Sequence, residues 1–223
     1  MTAIFLVRHP ETTWNASSRY QGRLESPLSD RGRLQATSVS KYFASAAIAS
    51  IYSSPLRRAR ELADAIQTQT QAFMRIDQRL SEIAQGPWEG LYVHQIEAAQ
   101  ADLYRQWYIA PDTVRFHPGE ALADVQLRAL SAVERAANEN ACAEVVLVTH
   151  SVVIQTLVCA ALDLPLRALH SVRVSNGGIT VLCGSHSPPS LLSLNALDAL
   201  YGSTLIGAGH EQCVQWKQRR FVT

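Results

Sequence analysis

Two histidines in this chain stand where an apolar run stops. Ala3-Ile4-Phe5-Leu6-Val7 ends in Arg8-His9, and Glu144-Val145-Val146-Leu147-Val148-Thr149 ends in His150. A weaker apolar run, Ile48 to Tyr52, stops at Ser53-Ser54-Pro55 and leads into Leu56-Arg57-Arg58. Each residue alone has an ordinary explanation: a histidine at a strand end is commonly a hydrogen-bonded surface group, and an arginine opening a helix is commonly solvated. Together they suit an anion, because the imidazoles, when charged, and the guanidiniums would otherwise repel one another. A phosphoryl group fits, since it offers several oxygens to arginine forks and to helix N-terminal amides. A neutral imidazole can attack phosphorus and carry the group covalently, which divides one hard transfer into two. A second imidazole and the arginines would stabilise charge on the equatorial oxygens.

The elements that must position these groups follow from periodicity. Short continuous apolar runs suit strands buried on both faces. The runs at residues 3–7, 48–52 and 144–149 are therefore expected strands, with Ile179 to Cys183 and Leu191 to Leu194 as two more. Helical spacing lies between them. Ser29 can cap a helix through Leu34, Ala36 and Val39 to Phe43. Leu56, Ala59, Ala63 and Ile66 recur at helical spacing, as do Leu122, Val125, Ala129, Val133 and Ala136, and Val153, Leu157 and Ala161. This alternation predicts a three-layer α/β sandwich with a largely parallel central sheet. Ligands of open α/β sheets bind beyond the carboxyl ends of the strands, where the histidines and arginines collect.

The chain has 223 residues, of which 47% are hydrophobic and 17% charged, so it is long enough for a full core and too apolar for disorder. The expected organisation is one domain over residues 1–195 with an extension, 196–223, packed on it. The net charge is +1 and no polybasic tail is present, which argues against nucleic acid and anionic membrane as partners. Among 20 basic residues, lysine occurs only at Lys41 and Lys217; arginine is the better two-pronged phosphate grip. No apolar run approaches the roughly 18 residues of a membrane span, and the N-terminal run is too short for a signal sequence. The four cysteines, Cys142, Cys159, Cys183 and Cys213, form no CxxC pair and are expected as buried, reduced thiols in a cytoplasmic protein.

The residues from Leu6 to Asn15, which include Arg8-His9-Pro10-Glu11-Thr12, resemble the "RHG" signature of the histidine phosphatase superfamily, also called the phosphoglycerate mutase-like family. Tyr20-Gln21-Gly22 and Ser26 to Ala36 resemble its next block, and Ser53 to Glu61 its arginine motif. Leu80-Ser81-Glu82 with Gly86-Pro87-Trp88-Glu89-Gly90 resembles its acidic loop, and Val148-Thr149-His150 its second histidine motif. The resemblance implies a phosphoglycerate mutase-like fold and a phosphomonoesterase acting on a small phosphorylated metabolite, with no cofactor and no metal. It implies that His9 becomes phosphorylated, that Arg8 and Arg58 clamp the phosphoryl oxygens, and that His150 is the second pocket histidine. It makes Glu82 the proton donor and then the base that activates water, helped by partial burial near Trp88. Asn15 would contact the phosphoryl group, and Gln21 and Gly22 the substrate. A homodimer is a possible assembly.

Several positions depart from the pattern. Pro10 replaces the usual glycine after the nucleophilic histidine and removes an amide donor. Leu62 replaces a threonine, Ser151 follows His150 where glycine or another small residue is common, and Pro118-Gly119-Glu120-Ala121 only partly resembles the "GGES" segment. Glu89 is expected to be structural, as an arginine's partner, and Trp14 and Trp88 to pack or wall the pocket. Arg57 and Arg60 are expected in solvent, and His94, His117, His170, His186 and His210 have no assigned role. One competing reading is a serine hydrolase on Ser151, which the β-branched Thr149 and Val153 disfavour in a tight nucleophile elbow. A second is a non-catalytic phospho-ligand binder, and a third a phosphoglycerate mutase. The resembling mutases carry a long insertion with paired arginines after the acidic loop, whereas residues 91–118 here hold only Arg105 and Arg115.

Overall fold

The computed structural model describes residues 1–184 and 188–194. Five strands lie where the apolar runs predict them: β1 (Ala3–Arg8), β2 (Ile48–Ser53), β4 (Glu144–Thr149), β5 (Ile179–Cys183) and β6 (Ser190–Ser193). A sixth, β3 (Phe73–Ile76), is four residues long with its apolar stretch broken by Arg75, and Phe73, Arg75 and Ile76 are exposed at the sheet edge. The order is β3-β2-β4-β1-β5-β6. β1 to β4 pair in parallel and β5 is antiparallel to β1 and to β6, so the sheet is largely parallel.

The strands are apolar throughout because both faces are covered. Ile4, Leu6, Val145 and Leu147 point to one core, while Phe5, Val7, Val146 and Val148 point to the other. The first core is closed by α6 (Leu122–Glu139) and α7 (Ser151–Ala161), the second by α2 (Asp30–Phe43) and α3 (Arg57–Thr70). This is the expected three-layer sandwich. Ser29 caps α2, its side chain accepting from the Gly32 amide at 2.9 Å. The short α1 (Thr13–Ala16), α4 (Val93–Ala99) and α5 (Ala101–Ile109) complete the α-helices among the described residues. None of these helices is long and apolar enough to cross a membrane.

Leu62, where the resembling motif has threonine, is fully buried in the core beneath α3, and an apolar side chain fits that position. Cys159 and Cys183 are buried as expected. Cys142 is not: it sits exposed in the turn before β4, where its φ is +58°. Cys213, His186, His210 and the extension 196–223 lie outside the described residues.

Candidate active site

The sheet order makes the three predicted strand ends neighbours. β2, β4 and β1 run side by side in that order, and the ends of β4 and β1 pair as Thr149 with Arg8. His9 follows β1, with its amide donating to the Thr149 carbonyl at 2.9 Å. The His9 and His150 rings stand 5.1 Å apart between centroids. Both rings are buried, at 3% and 0% exposure, so a charge on either is poorly hydrated.

The His9 ring is fixed by the residue that departs from the family pattern. Its Nδ1 lies 2.7 Å from the Pro10 carbonyl oxygen. A carbonyl only accepts, so Nδ1 carries the proton, and in the neutral ring Nε2 keeps its lone pair. Proline removes an amide here but leaves this carbonyl in place. Burial, reinforced by the Arg58 and Arg8 cations, holds the His9 pKa well below its ordinary value, so the ring is neutral at physiological pH. Burial does the same to His150, with Arg58 next in effect. His150 Nε2 lies 2.7 Å from Ser54 Oγ, which itself accepts from the Leu56 amide at 3.3 Å.

Arg8 and Arg58 complete this wall. Arg8 Nη1 donates to the Val174 carbonyl at 2.6 Å, and burial lowers its pKa to about 10, which leaves it charged. Arg58, at 1% exposure, donates from Nη1 to the Leu24 carbonyl at 2.9 Å and from Nη2 to the Gly22 carbonyl at 2.7 Å. Arg58 thus fastens the loop after α1 to the strand-end wall. Gly22 has φ +51°, and a Cβ there would overlap the Glu89 carboxylate, so only glycine fits. In the strand-end wall and Gln21 beside it, Arg8 Nε, Arg58 Nε, His150 Nδ1 and Gln21 Oε1 are buried without a protein partner.

Glu82 faces them from the acidic loop. It is 9% exposed, and its Oε1 accepts from the Ile83 amide at 2.9 Å. Its pKa is raised, because burial outweighs the Ile83 hydrogen bond and the Arg58, Arg8 and Arg128 cations. Glu89 is structural as expected, but its hydrogen-bond partner is the Gln85 amide at 2.8 Å, not an arginine side chain. Trp88 packs among Tyr20, Tyr104, Trp107 and Phe116 in the core, away from the cavity lining.

These residues open on a cavity of about 290 Å³ lined by Arg8, His9, Asn15, Gln21, Gly22, Arg58 and Glu82, together with Trp14, Arg19, Tyr20, Gln85 and Tyr108. His150 lies behind His9 and does not line the cavity. Asn15 spends its Oδ1 on the Thr12 amide at 3.1 Å, which leaves its NH2 for a ligand. Trp14 is a cavity wall, and the Arg19 guanidinium lies 3.9 Å above its ring. Arg57 and Arg60 are exposed, Arg57 pairing with Glu61 at 2.6 Å. Ser151 opens α7 outside the cavity lining, and the imidazole of His150 bonds to Ser54 instead, so the serine-hydrolase geometry is missing. Sequence reasoning missed Ser54 and also Asn176, which donates to the His9 carbonyl at 3.1 Å. The Asn176-Gly177-Gly178 turn signal precedes β5 and marks the place, but gives no hint of its target.

Comparison with known proteins agrees with this geometry. The chain is 32% identical over 195 residues to phosphoserine phosphatase 1 of Hydrogenobacter thermophilus, covering 87% of this chain and 92% of that one. It is 31% identical over 180 residues to a probable phosphoglycerate mutase of Shigella boydii, covering 81% and 84%. Among solved structures, a mycobacterial glucosyl-3-phosphoglycerate phosphatase in complex with VO3 superposes with a TM-score of 0.76 at 30% identity, covering 87% of this chain and 97% of that one. The model of the histidine phosphatase superfamily, branch 1, matches residues 4–197, and the chain belongs to that family.

Proposed function

We propose that the protein is a phosphomonoesterase that hydrolyses small phosphorylated metabolites through a phosphohistidine on His9. The observation that carries this reading is the buried, neutral His9 ring, with Nδ1–H tied to the Pro10 carbonyl and Nε2 left as the nucleophile. In the first step Nε2 forms a bond to phosphorus as the ester P–O bond breaks, and protonated Glu82 gives its proton to the leaving alkoxide. In the second step the Glu82 carboxylate takes a proton from water, the new P–O bond forms and the N–P bond breaks. Arg8, Arg58 and the Asn15 NH2 hold the phosphoryl oxygens, and His150, behind His9, adds its dipole. Gln21 and Gly22 bound the substrate. The guanidiniums supply the positive charge at the phosphoryl group, so the reaction runs without a metal ion.

Hydrolysis is favoured over mutase chemistry by the segment after the acidic loop. A mutase must retain its bisphosphorylated intermediate and exclude water. Residues 91–118 fold into α4 and α5, and Arg105 and Arg115 pair with Asp102 and Asp124 outside the cavity lining. They are spent, and no adjacent arginine pair replaces them in that segment. The test follows 3-phosphoglycerate with a trace of 2,3-bisphosphoglycerate, beside phosphate release from phosphoserine and sugar phosphates. Phosphate release is expected to dominate. Rapid formation of 2-phosphoglycerate, outpacing hydrolysis of every monoester, overturns the phosphatase reading.

A further inference from the structure

We propose that Arg128, gripped by Glu120, is a positioning residue that aims the Glu82 carboxyl at the leaving group. This rests on Glu82 being the general acid.

The acidic loop has no strand or helix of its own over residues 82–85, so its backbone must be fixed from outside. Arg128 does this from α6. Its Nη1 donates to the carbonyls of Arg79 and Ser81, both at 2.6 Å, and its Nη2 to the carbonyl of Glu82 at 3.2 Å. The other edge of the same guanidinium is held side-on by Glu120, with Nε to Oε1 at 2.9 Å and Nη2 to Oε2 at 3.1 Å. Glu120 Oε2 also accepts from the Ala84 amide at 2.9 Å, and the Glu120 amide donates to the Ala84 carbonyl at 3.0 Å. One carboxylate therefore binds the acidic loop directly and again through Arg128. Arg23 closes the cluster, its Nη2 at 3.1 Å from Glu120 Oε2 and its Nε at 3.3 Å from the Glu82 carbonyl.

Gly86 lets the two segments meet, because a Cβ there would overlap the Pro118 carbonyl oxygen. The segment Pro118-Gly119-Glu120-Ala121, without a role in the sequence, thereby acquires one. Glu82 has its main-chain carbonyl held by two guanidiniums, and its side chain reaches the cavity from a fixed point. Only arginine suits position 128. A planar fork can reach three carbonyls and a carboxylate together, whereas an ammonium is a compact point charge. Arg128 and Glu120 are each 16% exposed in their side chains and neither lines the cavity, so neither touches the substrate.

The test compares Arg128→Lys and Glu120→Gln with wild type on phosphoserine, an alkyl ester, and on 4-nitrophenyl phosphate, whose leaving group hardly needs a proton. A misaimed acid is expected to lower kcat on the alkyl ester by about 10- to 100-fold, with a loss on the aryl ester below about threefold. Arg128→Lys introduced into Glu82→Gln is expected to lower alkyl-ester turnover no further. Glu120→Gln keeps the test alive if the lysine variant does not fold, and aryl-ester turnover reports whether each variant is folded. Equal losses on the two esters, or losses that add to those of Glu82→Gln, overturn the positioning role. If Glu82→Gln itself shows no preference between the esters, the acid assignment falls and this inference with it.

Discussion

The two walls of the cavity satisfy their polar groups in opposite ways. On the strand-end wall, Arg8 Nε, Arg58 Nε and His150 Nδ1 are buried with no protein partner. On the acidic-loop wall, the Arg128 guanidinium and the Glu120 carboxylate are both fully engaged, with three carbonyls, an amide and Arg23 around them. Buried polar groups without partners are costly, roughly 1–3 kcal/mol each, and three of them gathered beside one cavity mark a place where a polar ligand can satisfy them. The first wall is built to receive charge, and the second to keep one carboxyl in place. The difference also sets the sign of the titrations. Burial among cations keeps the histidines neutral, whereas burial against only partial cationic compensation keeps Glu82 protonated above the usual carboxylate range.

The largest effect should come from the receiving wall. Arg58→Ala removes a phosphoryl cation and releases the loop at Gly22 and Leu24, and phosphatase turnover is expected to fall by about 10³-fold or more on every ester, as for other cations at a transferring phosphoryl group. A loss confined to alkyl esters would erase the distinction between the walls.

Next comes the proton-holding wall. Glu82→Gln should slow alkyl phosphates by about 10²–10⁴-fold, with aryl phosphates far less affected. Because the Glu82 pKa is raised, its acid form persists above the usual carboxylate range and is lost as pH rises. The alkaline limb of kcat on alkyl esters should therefore report Glu82 and vanish in the Gln variant. A limb that survives the substitution assigns the titration to another group.

A smaller effect concerns stability. His9 and His150 have folded pKa values below the unfolded value of about 6.5, so the unfolded chain binds more protons in that window. Their contribution is complete above pH 6.5 and is lost as pH falls below it, at up to about 1.4 kcal/mol per pH unit per histidine. The raised Glu82 works in the opposite sense between its unfolded and folded values. Denaturant titrations from pH 7.5 to 5.0 should show the fall, and His150→Gln should flatten it. A stability that rises toward acid pH would contradict neutral buried histidines.

The smallest expected effect is none. Exhaustive chelation should leave the rate unchanged, while vanadate should inhibit by occupying the phosphoryl site. Activity lost to chelator and restored by a divalent ion would mean that the guanidiniums do not suffice.

The contrast between the walls also explains what the sequence could disclose. The receiving wall sits on strand ends, and strands buried on both faces are legible as apolar runs that stop abruptly. Arg8, His9 and His150 could therefore be placed together without any resemblance. Glu82 stands on a loop with no period, and only its resemblance to a family motif singled it out. Arg128 was hidden for a different reason: α6 reads as an amphipathic helix, and nothing in that pattern says that one polar residue turns to face carbonyls of another loop. β3 went unseen because its apolar stretch is only four residues long and is interrupted by Arg75, and α4 and α5 because they are short. Trp88, expected to pack or to wall the pocket, packs in the aromatic core.

The central claim is that His9 carries the phosphoryl group. Rapid acid-free quench of the enzyme turning over a ³²P-labelled monoester, followed by peptide mapping, measures it directly. The account predicts an alkali-stable, acid-labile label on the peptide containing His9 in wild type, and no label anywhere in His9→Ala, which should also be inactive. Label on another residue, or a His9→Ala enzyme with near wild-type turnover, would contradict it.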